Sequence, residues 1–410
     1  MPTRHVEHVE LSGHILDSLL LPKVLDAIVT RGATYEVQEF RVGKKQDDPS
    51  YARLEIRAES AAQLDAVLTE ILSHGAAPVH PADCTTVAAD MPGAFPDGFY
   101  CSTNFRTQVR LRGEWVEVED QEMDCGIVLD PEGGAARCVP MVGVKTGDRV
   151  VVGRAGIRVM PEGAAAKKNE LFEFMTSAVS SEKPKGVSVR EIAQAIRRTR
   201  AAGEKMLAVL GPAVVHTGGA ALVAGLVRDG FINVLFAGNA LATHDIEQAL
   251  YGTSLGVSLE HGLPTDEGHE HHLRSINTVR RLGGIRPAVE AGKLTSGIMY
   301  ECVKRNVPYV LAGSIRDDGP LTDVVTDALA AQDAMRRLIP GVGFCLMVAT
   351  TLHSVAVGNL LPAWVKVACV DISPATVTKL MDRGSTQTVG IVSDAEPFLR
   401  ALDTELRRAG

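Results

Sequence analysis

The chain has 410 residues, room for two or three domains of about 150 residues each. Apolar residues make up 45 % and charged residues 22 %, which excludes a disordered chain and a membrane bundle. With 42 basic against 50 acidic residues the formal charge is −8, so neither nucleic acid nor an anionic membrane surface is an expected partner. Cys84, Cys101, Cys125, Cys138, Cys302, Cys345 and Cys369 form no C-x-x-C pair and are odd in number. That fits reduced thiols in a cytoplasmic protein better than a disulfide framework. The opening residues do not read as a secretory leader, and the apolar stretch at Phe344–Val348 is too short to span a bilayer.

In chain order, His5–Leu11 alternates as a strand, Leu16–Arg31 carries apolar residues at helical spacing, and Thr34–Val42 and Tyr51–Ala58 alternate again. Ala61–His74 reads as a second amphipathic helix and Pro78–His80 as a closing strand. The order β-α-β-β-α predicts a split βαβ, ferredoxin-like α+β domain over residues 1–82. From 83 to 165 glycine and proline become frequent. Short alternating runs at Thr107–Leu111, Glu114–Val118, Gly126–Leu129 and Arg149–Val152 predict a small β-rich module. A crossing segment with one short helix, Asn169–Val179, leads into the third region, 166–410.

In that region apolar, β-branched runs recur at Ala213–His216, Ile232–Phe236, Val307–Leu311, Phe344–Val348, Val365–Val370 and Val389–Val392, with helical patterns between them. Six buried strands with intervening helices predict a doubly wound α/β domain with a mostly parallel sheet. Ligands of such sheets bind outside the carboxyl ends of the strands, where helix N-termini and free backbone N–H groups converge. The residues after the strands are Thr217-Gly218-Gly219, Gly238-Asn239-Ala240, Gly313 to Gly319, Ala349 to His353, Asp371-Ile372-Ser373 and Ser393-Asp394. Small residues admit a ligand to the backbone, and Thr and Asn bond sugar and phosphate oxygens. Asp371 suits the two hydroxyls of an adenosine ribose, and so NAD over NADP. Ordinary turns and helix caps use the same residue types. No strand runs into G-x-G-x-x-G, so the residues alone define a nucleotide site and no reaction.

Other candidates compete with structural roles. His261, His269, His271 and His272 form the densest imidazole cluster. H-x-H-H lacks the spacing of a helical zinc pair and has no cysteine partner, so no metal is expected; a polar wall near the nucleotide or a helix start over Asp266–His272 is. Glu122, Asp124, Lys145 and Lys293 are candidate acid–base groups that an exposed face also explains. Cys125 is a nucleophile only with a cationic partner, and none adjoins it in sequence. The polar, aromatic segment Pro96–Asn104 falls at a domain junction, a common place for substrates.

The runs GNALATHDIEQALYGTSLG (238–256), GHEHHLRSIN (268–277), GSIRDDGPL (313–321) and ATTLHSVAVGNLLP (349–362), with FPDGFYCSTN (95–104) and EMDCGIVLDP (122–131), resemble the archaeal-type ornithine cyclodeaminases. That family carries the LOR/SDH region shared with plant lysine-ketoglutarate reductase/saccharopine dehydrogenase, and it also forms the C-terminal part of cyanobacterial arginine dihydrolase fusions. The resemblance spans nearly the whole chain. It implies an NAD domain akin to that of deoxyhypusine synthase, with cofactor contacts at Asn239, Ala240, Asp318, Thr350, Thr351, Leu352, His353, Asp371 and Asp394. Thr351 departs from the methionine of relatives, so a backbone contact is expected there. The implied reaction converts L-ornithine to L-proline and ammonia with NAD used catalytically. Asp124, Lys145 and Asp318 are candidates for its acid–base work, and Asn104 and Arg106 for holding the substrate carboxylate. Net oxidation of an amino acid, as in the saccharopine pathway, cyclisation of lysine or diaminobutyrate, and a sensor that binds NAD and an amino acid without turnover stay open. A homo-oligomer is the default expectation.

Overall fold

The computed structural model describes residues 5–408 except 14, 17–19, 44–47, 49, 80–81, 161–184, 255–256, 259–267, 318 and 385–387. Asp318, His261 and the short helix expected over 169–179 therefore lie outside the described residues. The rest forms two compact units: one holds the described residues before 161 together with Leu361–Trp364, and the other holds 185–360 and 365–408.

The first unit contains two sheets. Strands β1 (His5–Gly13), β2 (Thr34–Arg41), β3 (Ser50–Ala58) and β4 (Ala77–Pro78) form an antiparallel sheet in the order β2-β3-β1-β4. Burial alternates strictly along β3, from Ser50 to Ala58, as period-2 apolar patterning requires of a sheet with one covered face. That face meets the helices Leu20–Thr30 and Ala61–Ser73, with Val9, Leu11, Val24, Ile28, Leu54, Ile56, Val67 and Ile71 fully buried or nearly so.

The second sheet has seven strands: β5 (Thr85–Ala88), β6 (Arg106–Leu111), β7 (Glu114–Glu119), β8 (Gly126–Leu129), β9 (Ala136–Val139), β10 (Arg149–Val152) and β11 (Ile157–Met160), in the order β11-β6-β7-β9-β8-β10-β5. The sequence expectation lacks β5, β9 and β11. Each is four residues long, like β8 and β10, but none carries the three consecutive apolar residues that mark those two, since threonine or arginine takes up or interrupts the run.

The second unit is built on β12 (Lys205–Leu210), β13 (Val234–Gly238), β16 (Tyr309–Ala312), β17 (Val324–Val325), β18 (Val342–Val348), β19 (Lys366–Asp371) and β20 (Thr388–Val392), with β14 (Thr253–Ser254) and β15 (Val257–Ser258) forming a separate small ladder. Every pairing in the seven-stranded sheet is parallel, and the order is β17-β16-β13-β12-β18-β19-β20. Both faces are covered by helices, so the central strands are apolar along their interiors, as in Phe344–Val348 of β18 and Val367–Val370 of β19. Among the described helices none is long and apolar enough to cross a membrane.

One predicted strand is wrong. Ala213–His216 is a short helix, and the central strand is the preceding run Lys205–Leu210. Both runs are apolar, and periodicity does not separate segments this short. The dipeptide Gly211-Pro212 decides between them, because proline ends a central strand and begins a helical turn.

The strand order reverses between β12 and β18, where the two chains leave the sheet side by side. Gly211 N donates to Val348 O at 2.9 Å. A Cβ on Gly211 would lie 1.9 Å from Ala349 O and 3.0 Å from Thr350 Cβ. Gly211→Ala is expected to destabilise this unit by about 1–3 kcal/mol, read as a lower urea midpoint; an unchanged midpoint contradicts the close pass.

Candidate functional site

In a parallel sheet whose order reverses, the crevice at the carboxyl ends of the strands is the binding edge. Among the helices that start there are Asn239–Tyr251 after β13 and Thr351–Leu360 after β18. Neither has an acidic residue in its first turn, and the first has no side-chain cap. Their leading N–H groups and positive dipole ends remain available to an anion. Gly238 brings β13 close to the second helix, since a Cβ there would lie 3.0 Å from His353 Cε1. Burial lowers the pKa of His353 from its ordinary value, so the ring is neutral at pH 7.

The loops of this edge are knitted by a few polar groups. The Asn239 amide donates to Asp317 Oδ1 at 3.2 Å, and its Oδ1 accepts from Leu321 N at 3.1 Å and Thr243 Oγ1 at 3.2 Å. Asp317 in turn accepts from Ser314 N at 2.8 Å. Asn239 thus ties Asp317 to Leu321 within the loop after β16, and no described bond uses its second amide N–H. The Thr351 and Thr376 hydroxyls bond at 2.8 Å. Asp371, at the tip of β19, is 7 % exposed; its Oδ1 accepts from Ser373 N at 2.8 Å, while Oδ2 has acceptor capacity left. Asp394 is the N-cap of the helix Ala395–Arg407 and accepts from Ala395 N at 2.6 Å. Ala240 lies in the first turn after β13, and Thr350 immediately precedes the helix after β18. Ile315, Leu352 and Ile372 stand exposed after β16, β18 and β19; Leu352 is 76 % and Ile372 72 % exposed. Apolar side chains so placed offer a surface for a flat base.

A second polar group is absent from the sequence reading. His216, at the end of the helical turn after β12, bonds Ser254 Oγ at 2.6 Å through Nδ1. Its ring meets that of His244 edge-on, with centroids 4.6 Å apart. His244 Nδ1 bonds Glu247 Oε2 at 2.8 Å, and Glu247 Oε1 accepts from Thr253 Oγ1 at 2.9 Å. Thr253 Oγ1 also bonds His271 Nδ1 at 2.9 Å, and His271 stacks on Tyr251. Glu247 is fully buried. Of the expected histidine cluster, His271 and His272 lie against this network. His244 and Glu247 lie one turn apart on the helix Asn239–Tyr251, but their link to His216 is made by tertiary packing and gave no local signal. Asp245 beside them caps the helix Ile298–Arg305, accepting from Ile298 N and Met299 N at 2.8 Å each. Burial raises its pKa to about 6 despite those bonds.

In the first unit, the segment 95–104 and the run 121–126 come together. Cys101 bridges Gly126; Ser102 Oγ donates to Glu122 O at 2.6 Å and accepts from Cys125 N at 3.0 Å. Gln121 donates to Thr103 O, and its Oε1 is buried with no hydrogen-bond partner among the described residues. Asn104 is buried, and its carbonyl accepts from Ala363 N at 2.8 Å. Arg106 is exposed at the start of β6. Asp124 is exposed with φ +62°, and its charge adds to burial in raising the Cys101 pKa. Cys125 is buried, so the structure presents no nucleophile there. Lys145 sits on an exposed turn closed by its own N–H to Asp148 Oδ2 at 2.8 Å, and no described hydrogen bond or ion pair joins its side chain to Asp124.

This strand order, with free helix N-termini and an acid at the tip of β19, defines a nucleotide-binding α/β protein. Residues 190–402 match the family described as arginine dihydrolase ArgZ-like, C-terminal, Rossmann fold; 6–105 match the LOR/SDH bifunctional enzyme conserved region; 106–189 match the ArgZ-like C-terminal first region. The ornithine cyclodeaminase of Methanothermobacter thermautotrophicus is 51 % identical over 404 residues, covering 98 % of each chain. The crystal structure of apo ArgZ, a cyanobacterial arginine dihydrolase, superimposes with a TM-score of 0.83 at 40 % identity, over 100 % of this chain and 59 % of that one. AgrE, a bifunctional arginine dihydrolase/ornithine cyclodeaminase of Nostoc, was solved with ornithine and NAD+; it matches 98 % of this chain and 57 % of its own with a TM-score of 0.54 and 40 % identity. The chain belongs to the ornithine cyclodeaminase family.

Burial, and next to it the neighbouring His244, pushes the His216 pKa down to about 4. The ring is therefore expected to stay neutral as pH falls from 7 to 5, with a flat Cε1-proton NMR shift over that range. A titration centred near 6.5 contradicts the buried network.

Proposed function

We propose that the protein is an NAD-dependent ornithine cyclodeaminase, converting L-ornithine to L-proline and ammonia. Full-length identity of 51 % to an archaeal ornithine cyclodeaminase carries this reading, and the AgrE complex with ornithine and NAD+ supports both ligands. Its seven cysteines are free thiols, which supports a cytoplasmic setting.

NAD, when bound, accepts a hydride from the substrate Cα and returns it after the ring has closed. The parts of this chain that suit NAD lie at the carboxyl edge of the parallel sheet. Backbone at Asn239, Ala240 and Thr350 to His353 faces the pyrophosphate, with Thr351 contributing N–H because its hydroxyl is engaged by Thr376. The second Asp371 oxygen accepts from ribose hydroxyls, and Leu352 and Ile372 cover the base. Asp318 and Asp394 complete the proposed cofactor set, with the Asp394 carboxylate shared with its helix cap.

The chemistry also needs a proton taken from the α-ammonium, a neutral δ-amine to attack Cα, and a proton for departing ammonia. Both reacting groups share one short chain, so closure is a proximity effect once the substrate is folded back. Asn104 and Arg106 are proposed to hold the substrate carboxylate, with the guanidinium supplying a charged pair. Asp124, at the tight turn beside Cys101, and Asp318 are proposed for proton transfer, with Lys145 the third candidate. Gln121 Oε1, which has no partner among the described residues, is an acceptor suited to a substrate ammonium.

Two measurements test this. With sub-stoichiometric NAD and α-deuterated ornithine, many turnovers of proline are expected per NAD, with ammonia released, no NADH accumulating and deuterium kept at Cα. Stoichiometric NADH, or preference for lysine or diaminobutyrate, overturns the assignment. Asp371→Ala is expected to weaken NAD binding by about 10–100-fold, the loss of one or two hydrogen bonds to a charged group; unchanged affinity rules out the ribose contact.

A further inference from the structure

The edge strand β2 is exposed along its whole length, which is unusual for a segment carrying Tyr35, Val37 and Phe40. Its register with β3 places Tyr35 opposite Ile56, Val37 opposite Leu54 and Phe40 opposite Ala52. Those β3 residues are fully buried. The apolar face of the sheet thus continues onto β2, beyond what the helix Leu20–Thr30 covers. Tyr35, Val37, Phe40 and Val42 are between 38 % and 56 % exposed, and Val29 on that helix is 59 % exposed. Among the described residues no strand pairs with the outer edge of β2, and an apolar edge strand is a template for another strand.

We propose that β2 pairs antiparallel with β2 of a second copy of this chain about a two-fold axis, joining the two four-stranded sheets into one of eight strands. The strand is its own complement in one register, with the axis between Gln38 and Glu39. Val37 then faces Phe40 of the partner, Tyr35 faces Val42, and Glu36 faces Arg41, each pair occurring twice. The bulge at Gln38 makes this possible. It sets Val37 and Phe40, three positions apart, on one face, and Glu36 and Arg41, five apart, on the other. Moving the register by one residue opposes apolar to charged side chains, and moving it two residues the other way puts Glu36 against Glu39. Glu36 already bonds Arg57 at 2.6 Å and Arg41 bonds Glu39 at 2.9 Å, with the Glu36 and Arg41 side chains 60 % and 68 % exposed. Each has room for a partner across the axis.

The test is the mass of the full chain by sedimentation equilibrium. Wild type is expected at an even multiple of 43.7 kDa, and Val37→Asp at half the wild-type mass, with dissociation strengthened about a hundredfold. Glu36→Arg alone is expected to dissociate the pair, and adding Arg41→Glu to restore it, because the swapped charges again face each other; loss of folding alone does not give that reversal. As a second measure, a mixture of Val37→Cys and Phe40→Cys chains is expected to oxidise to a mixed disulfide that neither variant forms alone. A monomeric wild type, an unchanged mass in Val37→Asp, or a double charge swap no better associated than the single one overturns the proposal. So does a monomer whose β2 amides resist hydrogen exchange, since another part of the chain then covers the strand.

Discussion

The geometry of the second unit depends on one close pass of backbone. Where the strand order reverses, Gly211 and Ala349 leave the sheet so near each other that no side chain fits at 211. Ala349 takes a left-handed conformation, φ +53°, which costs a residue with a Cβ about 1–2 kcal/mol. Its N–H is held by Val370 O at 2.9 Å. This turn aims the helix Thr351–Leu360 so that its first N–H groups open at the crevice. A glycine signature after the first strand is one way to let a dinucleotide approach backbone. In the site proposed above, that approach is built instead from Gly211, Gly238 and the turn at Ala349, on three different loops.

Polar groups at this edge are consumed in fixing loops as much as in offering themselves to a ligand. The Asn239 side chain makes three bonds and Asp317 two, and this holds the loop after β16 at a set height. The chain from His216 through His244 and Glu247 to Thr253 and His271 plays the same part on the other flank, around a carboxylate with no solvent access. A buried carboxylate tolerates this only because its oxygens are bonded. Loops fixed in advance reduce the ordering that ligand binding must supply.

Much of the fold was legible because burial on both faces leaves apolar runs, and five of the six strands predicted for the second unit lie on observed ones. The first failed because Lys205–Leu210 and Ala213–His216 are both short and apolar, and only Gly211-Pro212 distinguishes strand from helical turn. In the first unit the long alternating strands and the short apolar runs of β8 and β10 were readable, while β5, β9 and β11, whose apolar residues are displaced or broken by threonine or arginine, were not. Strand-end reasoning selected Asn239, Thr350 and Asp371 without any motif, since a parallel sheet dictates where ligands approach. It did not find His216, His244 and Glu247, which belong to a network that tertiary packing assembles between His216 and His271. For the same reason spacing gave Asp124 and Lys145 equal standing, whereas the fold puts one beside Cys101 and the other on a separate exposed turn.

The central claim is that NAD lies across the carboxyl edge of the parallel sheet at the β12/β18 reversal. A crystal structure of the protein grown with NAD tests it most directly. The account predicts the pyrophosphate at the N-terminus of the helix Thr351–Leu360 and a ribose on Asp371. Cofactor density elsewhere, with Gly211, Thr350 and Asp371 untouched, contradicts it.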